Sequence, residues 1–384
     1  MKQLIYADNA ATTKLDSEAF EAMKPYLLNE YGNASQPYFF AKPAKRALKD
    51  ARGTIAECIG AQPEEIFFTS GGTESDNWAI KCFCAPTDVR TIFTSQIEHH
   101  AVLNACKHQT DARIAGVSYL PVDTNGYVLP SVLEKAMIDE LGNRAVVSCE
   151  TKLVSVMLAN NEIGTIEPIK ELAEVAHNHR AYFHTDAVQA VGHIPIDVQE
   201  LGIDMLSASA HKFNGPKGVG FLYVRKGTLL YPYLNGGAQE REMRAGTENV
   251  AGIVGMAAAL KNNCSNIQQN MIHLVDLEAQ LIHGLMAARI DFVRNGSHHA
   301  LPGLLSLSFP NRSGEAIMHR LDLMGIAVST GAACNSVNTE ISHVLKAIGL
   351  DKAKAEGTVR ISLGKYNTIE ENDIIVEALK KIVN

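Results

Sequence analysis

The sequence predicts an α/β fold, in which a mostly parallel sheet is covered by helices on both faces and a smaller α+β domain lies beside it. Three observations predict it. Between residues 65 and 225, short β-rich apolar runs alternate with longer helical patterns. After about residue 260 that alternation gives way to one long helical stretch followed by shorter mixed pieces. Finally, 46% of the 384 residues are hydrophobic and 20% are charged, an ordinary globular composition in a chain long enough for more than one domain.

The strand-like runs are Glu65–Ser70, Thr91–Ser95, Lys152–Met157, Ala181–His184 and Val219–Val224, with DMLSAS just before the last. Strands buried on both faces read as continuous apolar runs. Between them, Pro168–His179 sets Ile169, Leu172, Val175 and Ala176 at helical spacing. Farther on, residues 265–288 read as a long helix, Asp291–Arg294 and Leu304–Phe309 as strands, and Glu315–Leu323 as a helix. A strand at Val359–Leu363 and a closing helix from Ile369 complete the second region. Tyr6–Ala7 precedes a turn-like DNAATT that can pack with either domain, and the polar Asp139–Glu150 reads as a surface excursion. The domains expected are 17–260 for the large one, with 1–16 and 261–384 forming the small one.

A net charge of −7 without a long Lys/Arg run argues against a general nucleic-acid surface. No stretch approaches the ~18 apolar residues of a membrane helix, and the N-terminus MKQLIYADNAATT has no apolar signal region. Seven cysteines, odd in number and scattered, do not form a disulfide framework, so a cytosolic location is expected. Cys82 and Cys84 form a C-x-C without a second pair and read as free thiols rather than as a zinc site.

Six segments carry candidate chemistry. Ser209-Ala210-His211-Lys212 runs into a Gly/Pro turn between two strands, where a lysine amine can be fixed and its pKa lowered, or can simply be solvated. In FTSGGTES a strand ends at two glycines, and Thr73 with Asp76 reads as a capping box; such a helix start holds a phosphate or is merely capped. Asp186 in HTDAVQ follows a buried-type strand, either facing a ligand at the sheet's carboxyl edge or capping the next segment. His99 in EHH can stack on a ring and shuttle protons, or be a satisfied histidine. Cys334 sits in the small-residue loop STGAACNS, as an accessible thiol or a buried one. Arg360, in an otherwise apolar strand, needs an anion, whether a substrate carboxylate or an internal salt bridge.

Taken together and in order, YADNAATT, FTSGGTES, EHHAVL, ANNEIG, HTDAVQAVG, SAHKFNGPKGVGFLY, RAGTEN, STGAAC and VRISLG resemble the cysteine desulfurases of the NifS/IscS type across essentially the whole chain. These are class V aminotransferase-like enzymes of PLP (pyridoxal 5′-phosphate) fold type I. The resemblance implies a mostly parallel seven-stranded sheet in the large domain and PLP as cofactor. It implies Lys212 as the Schiff-base lysine, Asp186 as partner of the pyridine nitrogen and His99 as the ring-stacking acid/base. Gln189 and Asn161 match groups near the cofactor hydroxyl. Gly72, Thr73, Ser209 and His211 match the phosphate cup. Thr247 matches a phosphate contact donated across a homodimer interface, which makes the sites composite. Arg360 with Asn161 matches the substrate-carboxylate site, and Cys334 the nucleophile. L-cysteine would become L-alanine, with a persulfide on Cys334 passed to an acceptor in iron–sulfur cluster assembly or tRNA thiolation. No metal is implied.

Two departures stand out. The family's SSGSAC is here STGAAC, and its early NPSSxH is here Asn33-Ala34-Ser35-Gln36-Pro37-Tyr38. The chain also ends at Lys381-Ile382-Val383-Asn384 without the extension that housekeeping members use on a scaffold, which keeps specialised sulfur pathways open. The rival readings are a selenocysteine lyase or other PLP-dependent C–S lyase, an aminotransferase-like enzyme, and a binding protein that would be expected to have lost Lys212 or Asp186.

Overall fold

The computed structural model describes residues 4–83, 89–143, 150–330 and 341–383. In chain order the elements are β1 (Ile5–Tyr6), α1 (Ser17–Leu28), α2 (Lys42–Cys58), β2 (Ile66–Thr69), α3 (Gly72–Cys82), β3 (Val89–Ser95), α4 (His100–Asp111) and β4 (Ala115–Leu120). Next come α5 (Pro130–Asn143), β5 (Glu150–Ser155), α6 (Ile169–Asn178), β6 (Ala181–Asp186), β7 (Met205–Ser209), β8 (Gly220–Val224) and α7 (Val250–Ser265). The remainder is α8 (Ile267–Ala287), β9 (Val293–Arg294), β10 (Leu304–Ser308), α9 (Gly314–Leu323), β11 (Ile326–Ala327), α10 (His343–Ala347), α11 (Lys352–Glu356), β12 (Thr358–Ser362) and α12 (Ile369–Val383).

Seven strands form the large sheet in the order β2-β8-β7-β6-β5-β3-β4. The pairs from β7 to β4 are all parallel, whereas β8 runs antiparallel to both its neighbours. Successive side chains in a strand point to opposite faces, and the core composition follows that alternation. Phe68, Phe93, Val154, Phe183, Leu206 and Phe221 join a core with α2, α6 and α7. Their neighbours Phe67, Ile92, Leu153, Met205 and Leu222 join a second core with Trp78 of α3 and Val102 of α4. Both faces are buried, as a parallel sheet requires.

A separate core gathers Leu274, Leu277 and Leu281 of α8, Leu305 and Leu307 of β10, Val359 and Ile361 of β12, and Ile375 and Leu379 of α12. Its sheet has the order β12-β10-β9, with antiparallel pairing throughout. The N-terminal segment belongs to this core through Ile5 and Ala7, while Ala10 belongs to the first. β1 pairs with β11, Asp8 bridges to Ser362, and the Thr13 amide donates to the His211 carbonyl at 2.8 Å. The segment is therefore a clasp between the two cores.

The strands read from the sequence are present within a residue or two at each end. Two features differ. Of the surface excursion expected at Asp139–Glu150, residues 139–143 are the last turn of α5, Glu150 opens β5, and 144–149 lie outside the described residues. β4, absent from the sequence reading, adds an edge strand beside β3.

Glu167 is buried and links distant turns by accepting the Val128 amide on Oε2 at 2.9 Å. Its Oε1 has no partner among the described residues, and burial pushes the carboxyl up to about 8. Between the ordinary value of 4.5 and about 8 the folded chain binds a proton that the unfolded chain has lost, so this group makes stability fall as pH rises through that window. Urea unfolding at pH 5.5 and 8.5 should show that Glu167→Gln reduces the wild-type loss over this interval, by an amount on the order of a few kcal/mol.

Candidate active site

A cavity of about 1420 Å³ opens at the carboxyl edge of the large sheet. Its walls come from the segments that follow β2, β3, β5, β6 and β7, which is where open α/β sheets bind ligands. The N-terminal clasp and β12 close the other side through Ala10, Ala11, Thr12 and Arg360.

Lys212 stands in the short 3₁₀ turn after β7, and its Nζ donates to the carbonyls of Ala10 and Ala11, the latter at 2.9 Å. Burial lowers its pKa to about 8; the Arg360 guanidinium adds to that shift, and Asp186 and Asp8 oppose it. An amine with such a value is part-neutral near physiological pH, which an ordinary lysine is not.

Asp186 ends β6. Its Oδ1 accepts the Val188 amide at 2.9 Å, so the capping alternative is real, but Oδ2 has no partner among the described residues and Asp186 borders the cavity. Burial raises the carboxyl's pKa, against the pull of His99 and Lys212. His99 is the N-cap of α4; its Nδ1 accepts the Ala101 amide at 3.1 Å, so the neutral ring carries its proton on Nε2. Burial lowers the pKa of this imidazole, and Asp186 pulls it back up.

The capping box expected of Thr73 and Asp76 does not form. α3 starts at Gly72, with Gly71 in the flanking position and no side chain capping, so Thr73 already lies within the first turn. Asp76 instead turns inward, 3.8 Å from His184 Nε2, while Glu74 takes the Ser70 amide at 2.8 Å and is held by Arg244. The Gly72 and Thr73 amides have no partner among the described residues and border the cavity, a ready anion site. Gly72 is required here, because a Cβ would lie 2.5 Å from Val188 Cγ2.

Ser209 and His211 lie beside this helix start. His211 Nδ1 meets Thr12 Oγ1 at 3.1 Å, and burial together with Lys212 and Lys217 lowers its pKa to about 4, so the ring is neutral. Gln189 donates from Nε2 to the Ala10 carbonyl at 2.8 Å. Arg360 donates from Nη1 to the Asn161 carbonyl at 2.9 Å and from Nη2 to Asp8 Oδ1 at 2.8 Å. The internal salt bridge left open by the sequence is therefore present, yet the buried Nε–H has no partner among the described residues and Arg360 borders the cavity.

Thr247 is exposed and outside the cavity wall of the single chain. Cys334 lies outside the described residues, although Ser329, Thr330 and Ile341 on either side of that segment border the cavity.

The sequence reading missed Asp8, the Ala10–Thr12 turn and Glu162. Glu162 accepts from Ser342 Oγ and has its pKa pushed up by burial to about 7. Their signal was present in the quoted YADNAATT and ANNEIG, but no local pattern shows that residues 8 and 360 meet.

An amine, a buried carboxylate and a bare helix N-terminus facing one cavity at the carboxyl edge of a parallel sheet define an α/β enzyme built to hold an anionic ligand. Residues 5–375 match the family described as Aminotransferase class-V. A cysteine desulfurase IscS of Dictyoglomus turgidum is 47% identical over 100% of this chain and 95% of that protein. One from Methanosarcina thermophila is 46% identical over 99% of this chain and 92% of its own. A solved structure described as a NifS-like protein superposes with a TM-score of 0.90 at 38% identity, covering 99% of both chains. The chain belongs to the class-V aminotransferase family and, within it, to the cysteine desulfurases.

If Arg360 helps to hold the Lys212 amine near neutrality, Arg360→Gln should raise the Lys212 pKa above about 8. Reductive methylation with labelled formaldehyde, followed by NMR titration of the modified lysine, measures it; an unchanged value would show that burial alone sets the shift.

Proposed function

We propose that Lys212, Asp186, His99 and Cys334 carry a PLP-dependent desulfuration of L-cysteine to L-alanine. The observation that carries this reading is the meeting of Lys212 and Asp186 in one cavity with the bare start of α3. The residues fit the cofactor: Asp186 Oδ2 is free among the described residues for a protonated ring nitrogen, and the Gly72 and Thr73 amides are free for a phosphate. Ser209 and His211 complete the phosphate cup, and Gln189 and Asn161 lie near the cofactor hydroxyl. Bound PLP supplies a protonated ring that takes up the electron pair released at the substrate Cα.

The chain's own residues do the rest. Lys212 Nζ tethers the cofactor and, once displaced by the substrate amine, takes the Cα proton. Asp186 keeps the ring nitrogen protonated, and His99 stacks on the ring with Nε2–H as its donor. Arg360 and Asn161 hold the substrate carboxylate, with the Arg360 Nε–H as the donor left free among the described residues. The Cys334 thiolate attacks the substrate sulfur; the Cβ–S bond breaks with its electron pair left to the three-carbon remainder, the persulfide stays on Cys334, and the remainder takes up a proton at Cβ and leaves as alanine. An acceptor protein of iron–sulfur assembly or tRNA thiolation then takes the outer sulfur.

The same reading includes a large domain of residues 17–260, a small one of 1–16 and 261–384, and a homodimer in which Thr247 reaches the neighbouring site. It also places the protein in the cytosol; no helix among the described residues is long and apolar enough to cross a membrane.

The purified protein should absorb in the visible and yield a borohydride-trapped adduct on Lys212; a colourless protein that PLP cannot reconstitute overturns the reading. Lys212→Ala should lower alanine formation by about 10²–10⁴-fold, the range for losing a positioned acid/base. Cys334→Ala should keep the absorbance and lose coupled alanine and sulfide production. Undiminished turnover of Cys334→Ala would instead point to a lyase that needs no protein thiol.

A further inference from the structure

A second, smaller cavity of about 180 Å³ shares no wall residue with the first. Its walls are apolar, from Ile59, Val191, Ile194, Pro195, Ile196 and Ile267, except for two sulfurs, Cys58 and Cys264. Cys58 is the last residue of α2 and Cys264 the penultimate residue of α7, two helices that pack side by side. The Cys264 thiol donates to the Cys58 carbonyl at 3.9 Å, and both sulfurs line the same small cavity. Both are partly exposed, and the reaction proposed above uses neither.

Two thiols that line one small cavity, one of them 3.9 Å from the other residue's carbonyl, are held where a modest approach makes a sulfur–sulfur bond. The interaction between the two thiols pushes Cys58 up and Cys264 down, with burial adding to the rise at Cys58 and Lys261 opposing it. Cys106 is the contrast: buried without such a partner, its thiol is pushed up to about 12 and is inert. The apolar walls disfavour two thiolates at once, as a soft metal ion would demand, and suit a neutral disulfide.

We infer that Cys58 and Cys264 are a redox-active dithiol that exchanges with small disulfides and closes into an internal disulfide. The Cys264 thiolate attacks one sulfur of a small disulfide R–S–S–R, forming Cys264–S–S–R and expelling RS⁻. That thiolate takes the Cys58 proton, and the Cys58 sulfur attacks Cys264 Sγ, expelling the second RS⁻, which takes a proton from water. The pair loses two electrons and the small disulfide gains them, ending as two RSH. The closed bond ties positions 206 residues apart.

Bis(2-hydroxyethyl) disulfide is the probe, because it has no amine to react with the PLP aldehyde and no carboxylate to compete at the main cavity. On the PLP-loaded wild type it should give a linked Cys58–Cys264 peptide in the digest mass spectrum, reversed by dithiothreitol. Cys58→Ser should stop at a stable mercaptoethanol adduct on Cys264, and Cys264→Ser should slow modification at Cys58 by about tenfold or more. Separate adducts on both thiols of the wild type would overturn the inference. So would two thiols that stay unmodified in the folded chain at concentrations that modify the denatured one. Neither result bears on the desulfurase reading, since absorbance and alanine formation are measured independently.

Discussion

The burial of the Lys212 amine against the Ala10 and Ala11 carbonyls is the contact around which the molecule is arranged. A cation in a low-dielectric cavity is costly unless opposite charge is near, and a cation too well paired is no nucleophile. Lys212 sits between these limits, with Asp186 and Asp8 raising its pKa while burial and Arg360 lower it. Arg360 is itself paired with Asp8 at 2.8 Å, so the two cations of the cavity wall are balanced by Asp186 in the wall and by Asp8 behind it. The arrangement needs both cores at once. Asp186 and Lys212 come from the large sheet, Arg360 from the small one, and Asp8 from the clasp between them.

The same economy extends behind the cavity. His184 places Nδ1 against Ser155 Oγ and Nε2 against Ser207 Oγ, and burial lowers its pKa to about 3, so it is a neutral spacer between strands. Asp76 lies 3.8 Å from it with a buried oxygen that has no hydrogen-bond partner among the described residues, and burial and the Asp186 charge raise its pKa. Glu98, pushed to about 8 by burial, accepts from Ser95 Oγ and the Met157 amide. The upward shifts at Asp76 and Glu98 weaken the negative charge beside Asp186, whose own carboxyl borders the cavity with them.

What could be read from the sequence depended on how local each signal was. β3, β5, β6, β7 and β8 are interior strands with continuous apolar runs, and β2, though at an edge, is buried along its whole length, so all were legible. β4 is an edge strand on which Tyr119 is exposed and only Ala115 and Leu120 are buried, so it carries no such run. β1 and β11 are two residues each, too short for any period, yet their pairing is what anchors the clasp. The buried face of α2 is Ala44, Ala47, Leu48, Ala51 and Ile55, correctly spaced but mostly of small residues. In the site, Lys212, Asp186 and Gly72 each sit at a strand-to-loop junction that pattern reveals. The Asp8–Arg360 pair is separated by 352 residues and has no local signature. The Thr73–Asp76 capping box had the right spacing, but Asp76 is more useful to the interior, where His184 and Ser207 receive it.

The flanks of the segment that carries Cys334 follow from the same clasp. On one side Ser329 and Arg360 exchange backbone hydrogen bonds, at 3.1 and 2.6 Å, so the strand that presents the guanidinium also fixes where the segment leaves. On the other side Ser342 donates to Glu162 while capping α10, and His343 Nε2 donates to the Glu98 carbonyl with its ring 4.9 Å from His100. Each anchor is also a neighbour of a proposed catalytic group: Arg360 beside Lys212, Glu162 beside Asn161, and Glu98 beside His99. Arg360 and Glu98 hold the flanks through main-chain atoms, whereas Glu162 does so through its side chain, so a change at Glu162 alters the charge beside the cavity and the Ser342 contact together.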